Sequence, residues 1–301
     1  MPEFEGIYPA IVTPMSEDGS LNEEAFRSVV EFNIGAGVGG FWVAGGNGES
    51  VFLSDEENMR IAEIVVNQNK GRINNIMHVG APTTARAADL AEHAAKVGVD
   101  AICCVPPFFY RQTDEAIVEH YRVVAEAANL PFFVYNLPNS TGVEITVALM
   151  KKIADAVPQL VGLKHSSLNF MSVREWTDMK LKCFIGSSML MLPALTIGAV
   201  GCIDGPPCAA PELWVDIWKA WQDKNIDVAM IAQEKATRFT MVMREAGVHS
   251  ATKAVLTERL LIDCGSGRPP NLPLEGARRK NVLEAVSNMG INAIDEPVKL
   301  N

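Results

Sequence analysis

The chain has too few positive charges for a nucleic-acid binder. Its 26 lysines and arginines are outnumbered by 36 aspartates and glutamates, and the net charge of −10 repels phosphates and anionic membrane surfaces alike. An anionic small molecule has to be met instead by local donors, such as backbone N–H groups or a helix N-terminus. Long hydrophobic runs are missing too: glycine, proline or charge interrupts each apolar stretch well before the roughly 20 residues of a membrane span. Neither nucleic acid nor membrane is an expected partner. Cys103, Cys104, Cys183, Cys202, Cys208 and Cys264 include no C-x-x-C pair, and Met1-Pro2-Glu3-Phe4 shows no secretory leader. Buried free thiols in a reducing compartment are expected, hence a cytoplasmic location. His78, His93, His120, His165 and His249 are scattered without metal-ligand spacing, and no G-x-G-x-x-G or P-loop pattern occurs. No metal and no cofactor is expected.

What is present is enough apolar residue for a large core. The 301 residues are 48% hydrophobic and 21% charged, with a mean hydropathy of +0.11, which excludes a disordered chain. Short β-type runs fall at 7–13, 40–44, 75–80, 101–105, 132–135, 161–164, 183–186 and 200–204. Between them, apolar residues at i, i+3, i+4 spacing predict helices at 23–36, 54–69, 85–97, 114–128, 146–156, 171–179, 189–197 and 211–224. Ser54 with Glu57 three residues on reads as a capping box. A doubly wound sheet shows similar alternation, but eight β–α pairs with mostly uncharged strands point to a (β/α)8 TIM barrel over residues 1–225. Strand signals stop there, and 227–245, 250–261 and 274–288 read as helices of a C-terminal helical region, 226–301.

Lys164 follows the apolar run Leu160-Val161-Gly162-Leu163, and Tyr135 follows Pro131-Phe132-Phe133-Val134. In a barrel the C-terminal strand ends form the working face, so both residues would stand at its mouth. Low dielectric at a buried strand end favours a free, nucleophilic amine over an ammonium ion. A lysine and a phenol so placed suggest Schiff-base chemistry on a carbonyl compound. Each alone has a plainer reading: a lysine snorkelling to an acid, a core phenol with one hydrogen bond. The loop Gly45-Gly46-Asn47-Gly48-Glu49-Ser50 follows the second strand, and its accessible amides form a plausible carboxylate cradle, although glycines there also serve simply as turn formers. His165 should turn toward the helices by strand alternation.

These residues sit within longer motifs: Gly6-Ile7-Tyr8-Pro9-Ala10-Ile11-Val12-Thr13-Pro14, Gly48-Glu49-Ser50, Tyr135-Asn136-Leu137-Pro138 with Thr141-Gly142, and Gly162-Leu163-Lys164-His165-Ser166-Ser167. In this order, over essentially the whole length, the chain resembles the dihydrodipicolinate synthase and N-acetylneuraminate lyase family of class I aldolases. The resemblance implies that Lys164 forms an imine with pyruvate or another 2-oxo acid and that Tyr135 relays protons, the second partner being an aldehyde. It also implies a homotetramer built from close dimers.

Departures from the family pattern bear on the substrate. Where the family usually has a threonine or serine hydroxyl linking the tyrosine to a second tyrosine from a neighbouring subunit, this chain has Gly46. The second tyrosine aligns with Phe109, or with Tyr110 after a one-residue shift. Ser140 stands where dihydrodipicolinate synthases carry an arginine for the aldehyde's carboxylate, and a serine offers one neutral hydrogen bond in place of a bidentate charged one. Gly186-Ser187-Ser188-Met189 lacks the Asp-Glu pair of the sialic acid lyases, whereas His78-Val79-Gly80-Ala81 resembles them. Asn47, Ser166, Ser187 and Ser188 resemble the pattern of enzymes acting on smaller hydroxylated 2-oxo acids. Asp204, unusual for the family, could bind substrate hydroxyls, act as a base or cap a loop; Gly186 and Ile203 complete the expected substrate contacts. The expected activity is cleavage or condensation of a 2-keto-3-deoxy sugar acid or sialic-acid-like compound. The alternatives are a 4-hydroxy-tetrahydrodipicolinate synthase, a 2-keto-3-deoxy acid dehydratase, or a non-catalytic pyruvate-binding barrel.

Overall fold

The computed structural model describes residues 3–294, 296 and 298–300. Its strands are β1 (Gly6–Ile7), β2 (Gly40–Val43), β3 (Asn74–His78), β4 (Ala101–Cys104), β5 (Phe132–Asn136), β6 (Leu160–His165), β7 (Lys182–Ile185) and β8 (Gly201–Cys202). They pair in parallel in the order β1-β8-β7-β6-β5-β4-β3-β2. A bridge between Ala10 and Trp42, with Trp42 N–H donating to Pro9 O at 3.0 Å and Ile11 N–H to Trp42 O at 3.2 Å, joins the first and last strands of that order. The expected TIM barrel is therefore the observed one.

The helices are α1 (Glu23–Ala36), α2 (Asp55–Asn69), α3 (Thr84–Val97), α4 (Asp114–Ala128), α5 (Pro138–Thr141), α6 (Val147–Ala156), α7 (Ser172–Asp178), α8 (Met191–Thr196), α9 (Glu212–Gln222), α10 (Ile226–Ala246), α11 (Val248–Leu260) and α12 (Gly276–Asn288). The Ser54 box forms in full, Glu57 N–H donating to Ser54 Oγ and Ser54 N–H to Glu57 Oε2. The short helix α5 was not legible as a periodic segment. Pro138 starts it with a preset φ, and Gly142, at φ 70°, ends it after one turn.

The first and last strands are shorter than the sequence predicts. Pro9 has no N–H to donate, so the regular ladder stops, but Tyr8 N–H to Cys202 O and Ala10 N–H to Asp204 O, both 2.9 Å, keep the segments together.

Two apolar layers follow from strand alternation. Outward side chains pack against the helices in one large cluster, which continues through Ala229, Phe239, Met243 and Leu256 into α10 and α11. Inward side chains form a separate aromatic plug that includes Phe4, Tyr8, Trp42, Phe133, Tyr135, Phe184 and Ile203. Tyr8 and Phe184 lie 4.9 Å apart by ring centroids, Phe4 and Phe133 5.2 Å. Gly40 makes room for the plug, since a Cβ there would stand 2.2 Å from the Tyr8 ring. Burial pushes the Tyr8 phenol up to about 12, and Asn74 Nδ2 donates to its oxygen at 2.8 Å. Among the described residues these inward side chains pack the barrel interior as a buried cluster.

Candidate functional site

Tyr135 and Lys164 are register partners on the adjacent strands β5 and β6. Alternation sends both side chains into the barrel, where each is 4% exposed. Lys164 Nζ donates to Tyr135 Oη at 3.1 Å and lies 5.3 Å from the Trp42 ring centroid. Trp42 meets Tyr135 edge to face at 5.4 Å and fixes the phenol's plane. Among the described residues Lys164 has no carboxylate partner, so it is not the salt-bridged strand-end lysine of the plainer reading. Its neighbours leave the amine facing a phenol, an indole and open space.

That space is a cavity of about 380 Å³, with Lys164, Tyr135, Asn47, Ser166, Gly186 and Asp204 on its wall. Gly186 is required there: a Cβ would lie 1.9 Å from Ser166 Oγ and 2.9 Å from His165 O. Asn47 Nδ2 donates to Ala10 O at 2.6 Å, while its buried Oδ1 has no partner among the described residues. In the glycine loop, Glu49 N–H and Ser50 N–H turn back to Gly46 O and Gly45 O at 3.1 and 3.4 Å. The amides of Gly46, Asn47 and Gly48 donate to no acceptor among the described residues, as a carboxylate cradle requires.

A second cavity of about 340 Å³ lies on the other side of Tyr135, with Gly46, His78, Phe108 and Ser140 on its wall. A Cβ on Gly46 would stand 3.7 Å from Tyr135 Oη, so a hydroxyl-bearing side chain at this position would reach the phenol. His78 meets Tyr135 edge to face at 6.0 Å, and its Nδ1 donates to Ala44 O at 3.0 Å. Burial, with Lys164 adding to it, holds the His78 imidazole down to about 4. It is therefore neutral at physiological pH.

Ser188 and Ile203 lie away from the cavity wall, and Phe109 and Tyr110, expected near a neighbouring subunit's site, stand on the surface of this chain. Ser188 is fully buried away from the cavity, its Oγ 3.2 Å from Thr240 Oγ1, because the turn after β7 breaks strand alternation; Ser187 takes the wall position. Ile203 is locked in the aromatic plug beneath the mouth. Phe109 and Tyr110 stack on each other at 4.9 Å on the surface, 85% and 73% exposed, and touch neither cavity. Asp204 is on the wall, but Oδ1 accepts from Gly205 N–H at 2.8 Å and Oδ2 from Ser188 N–H at 2.9 Å, which is a loop-capping arrangement. His165 turns outward as expected. Its Nδ1 accepts from Trp176 Nε1 at 3.2 Å and its Nε2 donates to Asn169 O at 2.9 Å.

Sequence reasoning missed Arg244 and His249, which α10 and α11 bring to the wall. His249 Nε2 donates to Gly46 O at 3.0 Å. The one local signal was Gly247, whose φ of 94° breaks the helix between them and turns α11 back over the barrel mouth.

The model of the dihydrodipicolinate synthetase family matches residues 3–289. The chain belongs to this family. It is 31% identical over 281 residues to the 4-hydroxy-tetrahydrodipicolinate synthase of Methanopyrus kandleri, covering 92% of each chain. Among solved structures, the dihydrodipicolinate synthase from Aquifex aeolicus superposes with a TM-score of 0.90 at 25% identity, over 97% of this chain and 100% of the other. The N-acetylneuraminate lyase of Proteus mirabilis superposes with a TM-score of 0.89, also at 25% identity, over 96% and 99%. Membership makes the protein a carbon–carbon lyase of the aldolase type. Family members with synthase and with lyase names share this barrel, so the fold alone does not select the substrate. No helix among the described residues is long and apolar enough to cross a membrane.

Proposed function

We propose that the protein forms an imine between Lys164 Nζ and the keto carbon of pyruvate, and uses it to break or make a carbon–carbon bond. The observation that carries this reading is a buried amine without an acidic partner, 3.1 Å from a phenol, on the wall of a ligand-sized cavity. The amine adds to C2 of the 2-oxo acid and the keto oxygen leaves as water. In cleavage, the electrons of the C3–C4 bond flow into the protonated imine, C3 becomes the enamine carbon, and the C4 hydroxyl loses its proton as C4 becomes an aldehyde. Tyr135 is the base for that proton. Protonation at C3 and hydrolysis then release pyruvate and the free lysine. The unpaired amides of Gly46, Asn47 and Gly48 suit the carboxylate next to the keto group.

The neutral groups of Asn139, Ser166 and Ser187 on the wall favour a hydroxylated chain, a 2-keto-3-deoxy sugar acid or a sialic-acid-like compound. The second reading is 4-hydroxy-tetrahydrodipicolinate synthase, favoured by the name of the Methanopyrus relative and opposed by neutral Ser140. Gly46, which adds no hydroxyl to Tyr135, motivates a third, a barrel that binds pyruvate without turnover. A dehydratase acting through the same imine is a close variant of the first.

Borohydride reduction with pyruvate, followed by peptide mass analysis, tests the imine: the peptide bearing Lys164 gains the reduced pyruvyl group, and an unmodified peptide overturns the proposal. Pyruvate release from a panel of 2-keto-3-deoxy acids separates lyase from dehydratase, and labelling without turnover selects the binding barrel.

The family's homotetramer is proposed as well, supported by exposed Val51, Phe52, Phe109 and Tyr110. Light scattering checks it. Six free, buried cysteines support a cytoplasmic location.

A further inference from the structure

Arg244 lies in the last turn of α10 and is the only guanidinium among the described residues on the wall of the Lys164 cavity. Several other arginines of this protein are held tightly, with N–O distances of 2.6 Å for Arg27–Glu23, 2.7 Å for Arg86–Asp55 and 2.7 Å for Arg122–Glu119. Arg244 is not. Its sole side-chain partner among the described residues is Asp204, at a loose 3.4 Å between Nη2 and Oδ2. Asp204 also accepts from two backbone amides, and its one long contact with Arg244 leaves most of the guanidinium's donors open. Arg244 Nε and Nη1 donate to nothing among the described residues, and the side chain is 45% exposed.

A cation in a last helical turn also complements the helix dipole, but that role needs neither a cavity nor unpaired donors. The chain's net charge of −10 does not draw an anion in, so an open guanidinium fork on the wall it shares with the reactive amine is a local device that can. Among the described residues, the second cavity beside Tyr135 has no lysine or arginine on its wall.

We propose that Arg244 determines specificity by binding a carboxylate at the far end of the substrate. The substrate class is then a 2-oxo acid with an anionic tail: Lys164 takes the keto carbon, the loop amides take the near carboxylate, and α10 supplies the contact for the distant one. This inference rests on the Schiff-base reading above.

The test uses the full chain and needs no turnover. Borohydride labelling of Lys164 is titrated with 2-oxoglutarate and 2-oxoadipate, and with their tail-less counterparts of equal length, 2-oxopentanoate and 2-oxohexanoate. At least one acid-tailed compound half-saturates at a concentration about tenfold or more below its counterpart, as expected for a charged hydrogen bond. R244M brings that ratio near one, while R244K retains part of it. A purely structural role for Arg244 would move both members of each pair alike. The proposal is overturned if both ratios are near one in the unsubstituted protein, if the preference survives R244M, or if pyruvate labels and none of the longer acids does. If R244M does not fold, R244Q takes its place under the same criterion. Absence of labelling by pyruvate itself sinks the Schiff-base reading and this inference together, whereas pyruvate labelling without a tail preference sinks this inference alone.

Discussion

Lys253 and Glu49 form an ion pair 2.6 Å long in which neither side chain has any exposed surface. Glu49 ends the glycine loop in left-handed backbone at φ 60°, and its Oε2 also accepts from Arg268 N–H and Asn271 Nδ2 at 2.7 and 3.0 Å. Lys253, on α11, donates in addition to Ser266 O at 2.8 Å. The pair ties the loop that forms one side of the cavity to the C-terminal helices. Burial pushes the Lys253 ammonium down, and the Glu49 charge opposes the shift.

Removing one partner leaves a buried, uncompensated charge. Lys253→Met or Glu49→Gln is expected to destabilise the protein by about 3 to 5 kcal/mol, read as a lower urea midpoint. Because the loop is attached through this pair, Lys253→Met should also weaken pyruvate labelling of Lys164. A variant as stable as the parent would show that the pair contributes nothing net.

Tyr135→Phe separates binding from proton transfer. The imine still forms, so borohydride labelling with pyruvate persists, but kcat falls by roughly 10²- to 10⁴-fold, the usual contribution of a positioned acid–base group. Lys164→Ala abolishes labelling. Equal kcat in the Phe variant and the parent would remove Tyr135 from the mechanism.

Gly46→Ser should be tolerated, because a Cβ there meets nothing closer than Tyr135 Oη at 3.7 Å. The added hydroxyl is within reach of the phenol, and one such hydrogen bond corresponds to a change of about two- to tenfold in kcat. Turnover is expected to rise. Steady-state kinetics decides, and a fall in kcat would mean that this chain's proton path runs without a hydroxyl at that point.

Gly186→Ala tests the crowding behind the cavity. The new methyl would collide with Ser166 Oγ and with the backbone at His165 O, and overpacking of this kind costs about 1 to 3 kcal/mol. The melting temperature falls, and pairing the change with Ser166→Gly restores part of it. No recovery in the double variant would place the strain elsewhere.

Acid sensitivity follows from two buried histidines. Burial holds both His78 and His120 down to about 4, from an ordinary value of 6.5. The unfolded chain therefore binds protons that the folded chain does not as pH falls below 6.5, and stability drops progressively down to about 4. Each histidine accounts for a loss on the order of 2 to 3 kcal/mol across that window. His120 packs between Thr84 Oγ1 at 3.0 Å and Cys104 Sγ at 3.5 Å, on the helix side of β4. Replacing it with Gln should flatten the pH dependence of urea unfolding by its share, and an unchanged slope would refute the assignment.

The barrel and its two central residues were legible because they depend on local order. Strands of a parallel sheet are short, apolar and buried on both faces, and each is followed by a helix with its own periodicity and caps. Lys164 and Tyr135 stand out as polar groups ending such runs. Residues beyond the strand ends were less legible. Ser187 and Ser188 are equivalent as sequence, and only the path of the turn after β7 decides which hydroxyl meets the cavity and which meets Thr240. Strand alternation has no authority once the backbone leaves the sheet.

By itself, the sequence determined the order of elements, the inward face of each strand, and the amine and phenol that share register on β5 and β6, since these follow from periodicities of two and 3.6 residues and from burial. Tertiary structure alone decided that His249 donates to Gly46 O and that Glu49 is paired with Lys253. Those pairings span about two hundred residues, and no local pattern encodes them, because they arise only where α10 and α11 pack back across the barrel mouth.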